Sequence, residues 1–172
     1  MALERPESGL TWMRVPVKES AVVTVLGQVV TYWTHWIQRP GGQRAQPVRC
    51  VRWEAGRCAV CERGQPRRVR YVVPVRRDGV PMLLELGRVQ YPVLHLVFGQ
   101  DDWLGRKLRV SREWPARNAP IVVVPVGREH VSEEEKWDVS AEVGELGRGQ
   151  LSLVDVPARG GEESEGTGRL GG

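Results

Sequence analysis

Four side chains that can bind a metal ion lie close together in the sequence. His35 in "TYWTHWIQ" is followed by Cys50, Cys58 and Cys61, which are the only cysteines of the 172-residue chain. A Cys-x-x-Cys pair can direct two sulfurs at one ion, and the longer gaps let His35 and Cys50 approach from a neighbouring segment. Three thiolates and one imidazole fill a tetrahedral shell, which leaves no position for a reactive water. The spacing therefore predicts one structural zinc ion held by these four residues.

Other interpretations of the same residues stay open at this level. The cysteines could form one disulfide with a spare thiol, or they could be three small side chains without a ligand. Their odd number argues against a disulfide framework, as does the lack of a signal-peptide pattern at the N-terminus. For His35, the alternative is a hydrogen bond to a backbone group at a strand end. His95 and His130 offer no comparable local arrangement.

The residues around this cluster do not supply a catalytic partner. Zinc deaminases need His-x-Glu and Pro-Cys-x-x-Cys, whereas Trp36 and Ile37 follow His35 here and Arg57 precedes Cys58. The sequence also contains no Walker phosphate loop, no His-Glu-x-x-His motif and no Gly-x-Ser-x-Gly motif. We therefore expect a protein that is not an enzyme and has no small-molecule substrate.

Short runs of β-branched residues, separated by Gly, Pro or Asp, predict a mainly β fold. Pro74 and Pro125 interrupt two of these runs, which places them at strand ends, edges or bulges. The pattern fits a small antiparallel barrel or sandwich in a single domain. The predicted strands lie within 21–36, 69–75, 81–87, 91–99, 107–111 and 119–127.

One helix is expected near the C-terminus. The stretch "SEEE" from Ser132 resembles a capping box, and Val139, Val143 and Leu146 follow at helical spacing. By contrast, residues 38–65 show neither a strand nor a helix period and form a long loop for a compact domain. A bound ion would organise this loop.

Charge divides the chain into a basic middle and an acidic end. From Arg39 to Arg77, eleven arginines face two acidic residues, whereas five basic and eleven acidic residues follow from Arg128 onward. A basic segment suits a polyanion, although an arginine-rich solvated face is the alternative. The two ends, 1–10 and 157–172, have a composition typical of disordered tails. The folded domain is therefore expected at 11–156.

The longest apolar run, "IVVVPV", is too short to cross a bilayer. No signal-peptide pattern occurs at the N-terminus. We therefore expect a cytoplasmic protein without membrane contact, in the nucleoid or, if it is viral, in the host cytoplasm.

Seven tryptophans accompany a single phenylalanine, and several lie in or beside the basic segment. Interleaved arginine and aromatic residues suit single-stranded nucleic acid, because phosphates attract cations and unstacked bases stack on flat rings. Packing in the core is the alternative for each ring. We assign three of them to packing: Trp12, Trp114 and Trp137.

The order of one histidine and three cysteines in a basic segment, followed by "RRVRYVVPV" and an acidic end, resembles a known family. It is similar to the zinc-containing single-stranded-DNA-binding proteins of T4-like phages, over about residues 20–126. This resemblance implies an OB-type barrel with a zinc-ribbon insertion at about 35–65 and one structural zinc ion. It also implies binding of single-stranded DNA in replication, recombination or repair, and contacts of the acidic end with other replication or recombination proteins.

With this resemblance we expect binding with little sequence preference. Arginines would pair with phosphates and aromatic rings would stack on bases. The alternatives are a non-catalytic zinc-ribbon adaptor for a protein partner and a binder of double-stranded DNA or RNA. The expected phosphate contacts are Arg52, Arg57, Arg63, Arg67, Arg68 and Arg70. The expected stacking residues are Trp33, Trp53, Tyr71 and Trp103.

Overall fold

The computed structural model describes residues 11–37, 46–113 and 121–145. The predicted tails at 1–10 and 157–172, and the packing role predicted for Trp114, lie outside these ranges.

Seven strands form one mainly antiparallel sheet, which confirms the mainly β prediction. The strands are β1 (Ser20–Val25), β2 (Val30–Ile37), β3 (Gln46–Arg49), β4 (Arg67–Arg77), β5 (Val80–Leu86), β6 (Arg106–Ser111) and β7 (Val122–Arg128). The short helices are α1 (Arg52–Ala55), α2 (Ala59–Glu62), α3 (Gln90–Phe98) and α4 (Ser140–Glu145). The strand order is β3-β2-β4-β1-β6-β7, with β5 beside β4. None of the described helices has the length and apolar character needed to cross a membrane.

β1 and β2 lie end to end along the same edge of β4. Val25 pairs with Val75 and Val30 pairs with Val72, while residues 71–77 of β4 pair with β5 on the other side. Taken as one bent strand, β1 and β2 are followed by β4, β5, α3, β6 and β7. This order, with β6 returning to the free edge of β1, is the connectivity of an OB-type barrel.

The sheet is open, because its described strands do not close into a barrel. Among the described residues, β5 does not pair with β7, because the N-terminal segment occupies the edge of β5. The Leu83 amide donates to the Thr11 carbonyl at 2.8 Å, and the Met13 amide donates to the Leu83 carbonyl at 2.7 Å. Trp12 forms a parallel bridge with Leu83 and is partly buried, which agrees with its predicted packing role.

α3 packs on the inner side of the sheet, where the sequence predicted a strand in 91–99. That prediction was wrong, because Leu94 and Phe98 lie one helical turn apart and are both buried. Together with buried residues of β1, β4, β5 and β6 they form the inner cluster, which includes Val73. Pro92 is tolerated because it lies in the first turn, where an amide has no helical partner.

The C-terminal segment covers the outer face of the sheet, and its helix begins later than predicted. The amide and hydroxyl of Ser132 both donate to Glu135 Oε2 at 3.1 Å, as in a capping box. No helix follows, because the Trp137 amide donates instead to the Leu26 carbonyl at 2.9 Å. The Trp137 ring is buried in a second cluster, the outer cluster, which also includes Leu26, Val72 and Val139, and this confirms its packing role. α4 then begins at Ser140, so a C-terminal helix is present but starts eight residues later than predicted.

Candidate metal centre and nucleic-acid interface

β2 and β3 position two of the predicted ligands. The register places His35 opposite Val48, and the Cys50 amide donates to the Trp33 carbonyl at 2.8 Å. The ladder thus continues one residue past β3. Because side chains alternate along a strand, Cys50 faces the same side as Val48 and therefore as His35.

The other two sulfurs come from α2. Cys58 immediately precedes this helix and Cys61 lies three residues further on, which places both on one side of a single turn. The Glu62 amide donates to the Cys58 carbonyl at 3.0 Å, and the Gly64 amide to the Cys61 carbonyl at 2.9 Å. Gly64 has a φ of 77°, a conformation that favours glycine, and it turns the chain toward β4.

The four ligand atoms form a compact group. All of them lie within 4.8 Å of one another. His35 Nε2 is 3.6 Å from Cys58 Sγ and 3.5 Å from Cys61 Sγ, and the Cys50 and Cys61 sulfurs are 3.5 Å apart. Bonds of about 2.3 Å to sulfur and 2.0 Å to nitrogen place tetrahedral ligands about 3.5 to 3.8 Å from each other. The predicted residues therefore meet, and the cluster could hold a metal ion.

The cysteines are free thiols in the structure, not a disulfide with a spare. Cys50 and Cys58 are each 4% exposed, while Cys61 is half-buried. Burial raises the pKa of Cys61 to about 12, and the hydrogen bond with Cys50 is the second-largest contribution to this shift. Such a thiol stays protonated unless a bound cation stabilises its thiolate.

His35 is held in the form that binds a metal. Its side chain is fully buried, and Nδ1 donates to the Pro66 carbonyl at 3.0 Å. This hydrogen bond fixes the proton on Nδ1, so that Nε2 is unprotonated and directed at the sulfurs. Metal-binding histidines commonly donate such a hydrogen bond from the ring nitrogen that does not bind the ion. Burial also lowers the pKa of His35, which favours the neutral ring.

Two arginines of β4 lie beside tryptophan rings of β2. The Arg67 guanidinium lies 4.5 Å from the centre of the Trp33 ring, and that of Arg70 lies 5.5 Å from the centre of the Trp36 ring. The two pairs occupy opposite faces of the sheet. Trp36 is 40% exposed and was not among the stacking residues expected from the sequence. Strand alternation was the available signal, because a residue next to an inward-facing His35 must face outward.

The remaining predicted phosphate contacts are on the surface. Arg57 is already paired, since its Nε lies 2.7 Å from Glu62 Oε1. The side chain of Trp53 lies outside the described part of the chain. The other exposed arginines of the predicted set are Arg52, Arg63 and Arg68.

Two predicted stacking rings are engaged inside the protein. Trp103 is 1% exposed and packs edge-on against Phe98, with ring centres 5.0 Å apart. The prediction that Trp103 stacks on a base is therefore wrong, because its ring fills the inner cluster. Tyr71 is half-buried and stacks on Tyr91 at 3.9 Å between ring centres, so one of its two faces is occupied.

No known family model matches this chain, and neither a curated protein nor a solved structure is detectably similar to it. Any function must therefore be argued from the residues themselves and from the geometry of the metal centre and the sheet beside it.

Proposed function

We propose that this protein binds single-stranded DNA, with little sequence preference, in replication, recombination or repair. One Zn²⁺ ion is its structural cofactor. The observation that carries the proposal is the pairing of an exposed tryptophan with an arginine on a sheet of OB-type connectivity. Trp36 and Arg70 form this pair.

The donor set supports zinc as the ion. Thiolates and imidazole suit Zn²⁺, and three sulfurs with one nitrogen are typical of structural sites that hold no water. The ion would join α2 to the hairpin of β2 and β3, and so would hold the basic segment against the sheet. Metal analysis of protein purified without added metal should find one zinc per chain. A folded, metal-free protein that ignores a chelator would contradict this assignment.

The Trp36 ring offers the flat surface on which an unstacked base can lie. The neighbouring Arg70 and the exposed Arg68 on the same strand face can pair with the flanking phosphates. Stacking of one base on an aromatic ring contributes about 1 to 3 kcal/mol, whatever the base. This arrangement accounts for binding without sequence preference.

Titration of tryptophan fluorescence with oligo-dT tests the proposal. We expect quenching, and we expect Trp36→Ala to weaken affinity by roughly 5- to 150-fold, the equivalent of one lost stack. Leu96→Ala is the control, because Leu96 is 86% exposed and belongs to α3, not to β2 or β4, which carry the proposed contacts. Competition with double-stranded DNA and with RNA ranks the three polymers. Unchanged fluorescence and no binding at low salt would refute the proposal.

A second candidate function is that of a protein adaptor. It is favoured by the exposed apolar face of α3, where Val93, Leu96 and Val97 are 60%, 86% and 63% exposed. Apolar patches of this kind often mark protein contacts. The same titration separates the two functions, because an adaptor predicts no response to single-stranded DNA.

A further inference from the structure

The open side of the sheet forms a cleft of about 600 Å³. Its walls are the N-terminal segment with Trp12, the first half of β4, the end of β5 with the start of α3, the end of β6, and Ile121 just before β7. A closed barrel would have strand pairing here. Because Trp12 takes the edge of β5 instead, the gap remains open.

The cleft carries an excess of positive charge. Four arginines and one carboxylate line it: Arg14, Arg68, Arg70, Arg112 and Glu85. Glu85 pairs with Arg70, with 2.7 Å between Oε1 and Nη1. Among the described residues, the other three arginines have no acidic partner. Three positive charges are thus left without a counterion in one concave site.

Two of these guanidinium groups also have unused donors. The Nε atoms of Arg70 and Arg112 are buried and have no hydrogen-bond acceptor in the described structure. A buried donor without an acceptor is destabilising, so both atoms point to a missing partner. Phosphate oxygens are acceptors that match the fork of an arginine.

We propose that this cleft binds the phosphodiester groups of a nucleic-acid strand. This inference rests on the proposed function and adds where the sugar-phosphate backbone of the strand lies on the protein. Arg70 lines the cleft and also lies beside Trp36, so a strand held in the cleft can place a base on that ring. Arg14 and Arg68 are exposed, which leaves the site open to a polymer. Glu85 competes with phosphate for Arg70.

The salt dependence of oligo-dT binding tests the cleft. Each phosphate contact contributes about 0.7 to the slope of log affinity against log salt for a single strand. We expect Arg112→Gln and Arg14→Gln each to reduce the slope by about that amount and to weaken binding. Arg109→Gln is the matched control, because Arg109 is exposed on the same strand as Val110 but does not line the cleft. It should leave the slope unchanged.

The test stays decisive if Arg112→Gln does not fold, because other measurements probe the same cleft. Arg14 is exposed, so its variant should fold normally, and Glu85→Gln should strengthen binding by releasing Arg70. Inorganic pyrophosphate should bind far more weakly than oligo-dT, because it cannot reach from the cleft to Trp36. Equal affinities would overturn the strand path in favour of a small-anion site.

Failure of the cleft and failure of the proposed function give different results. If the wild-type protein binds oligo-dT but the Arg14 and Arg112 variants behave like the Arg109 variant, the cleft assignment is wrong and the function stands. If the wild-type protein does not bind oligo-dT, both are overturned.

Discussion

Removal of the proposed zinc ion should release residues 46–66 from the sheet while the rest of the protein stays folded. Three amides report on this segment. Cys50 donates to the Trp33 carbonyl at 2.8 Å, and the amides of Glu62 and Gly64 close the turn of α2 at 3.0 and 2.9 Å. We expect all three hydrogen bonds to require that the ligands be held together.

The size of the effect follows from how little this segment buries. Fixing the backbone of residues 46–66 costs about 20 kcal/mol, at about 1 kcal/mol per residue. The apolar side chains around the ligands include Ile37, which is fully buried, and Val48 and Val60, each 8% exposed. At about 1.5 to 3 kcal/mol each, these three contribute about 5 to 9 kcal/mol. Burial of these three side chains thus offsets less than half of this cost, so we expect the segment to depend on the proposed zinc ion, whose binding contributes about 10 to 16 kcal/mol in structural sites.

Hydrogen exchange measured by mass spectrometry, with chelator and after zinc is restored, checks this prediction. The three reporter amides should lose protection without metal and regain it with zinc. The Leu26 amide, which donates to the Pro74 carbonyl at 2.8 Å, should stay protected throughout. Val60→Ala is the matched control, because it should lower stability by about 2 kcal/mol yet keep the ion. Cys58→Ala, by contrast, should lower stability and also lose the ion. Undiminished protection of the three reporter amides after chelation would refute the reasoning.

Three other predictions concern the fold. Leu108→Ala removes a fully buried side chain from the inner cluster and should lower the unfolding free energy by about 2 to 5 kcal/mol in urea titrations, while the exposed Leu96→Ala should change it by less than about 0.5 kcal/mol. Gly27→Ala would place a Cβ too close to the Trp137 carbonyl oxygen, so the C-terminal segment must shift. We expect the unfolding free energy to fall by about 1 to 3 kcal/mol and the Trp137 amide to lose protection from hydrogen exchange. Burial raises the pKa of Glu85, and the positive charge of Arg70 opposes this shift only in part. The wild type should therefore lose stability relative to Glu85→Gln as the pH rises from 4.5 through the pKa of Glu85 in the folded state. Thermal melts of both proteins between about pH 4 and pH 7 measure this difference, and a gap that does not vary with pH would contradict it.

The candidate metal centre was accessible from sequence because its chemistry is local. Cys58 and Cys61 share one turn, and Cys50 lies one ladder step past β3. Their residue types are rare in this chain, so chance groupings are few. What the spacing alone did not reveal is the hydrogen bond from His35 to the Pro66 carbonyl, which orients the ring.

Several elements could not be predicted, because burial decides them. The run 91–99 suits a strand by composition, yet it forms α3 since Leu94 and Phe98 together close the inner side of the sheet. The residues next to Trp103 in the sequence do not indicate whether its ring is buried or exposed. Ser132 has the contacts of a helix start, but burial of the Trp137 ring and its backbone bond to β1's end stop a helix there.

By itself, the sequence of this protein determined a mainly β domain, a set of four side chains that could hold a metal ion and a basic middle segment, since each depends on neighbours in the chain. Tertiary structure alone decided that the sheet stays open and that Arg14, Arg68, Arg70 and Arg112 line one cleft. The physical reason is that strand pairing joins residues far apart in sequence, and the N-terminal segment competes for the same strand edge.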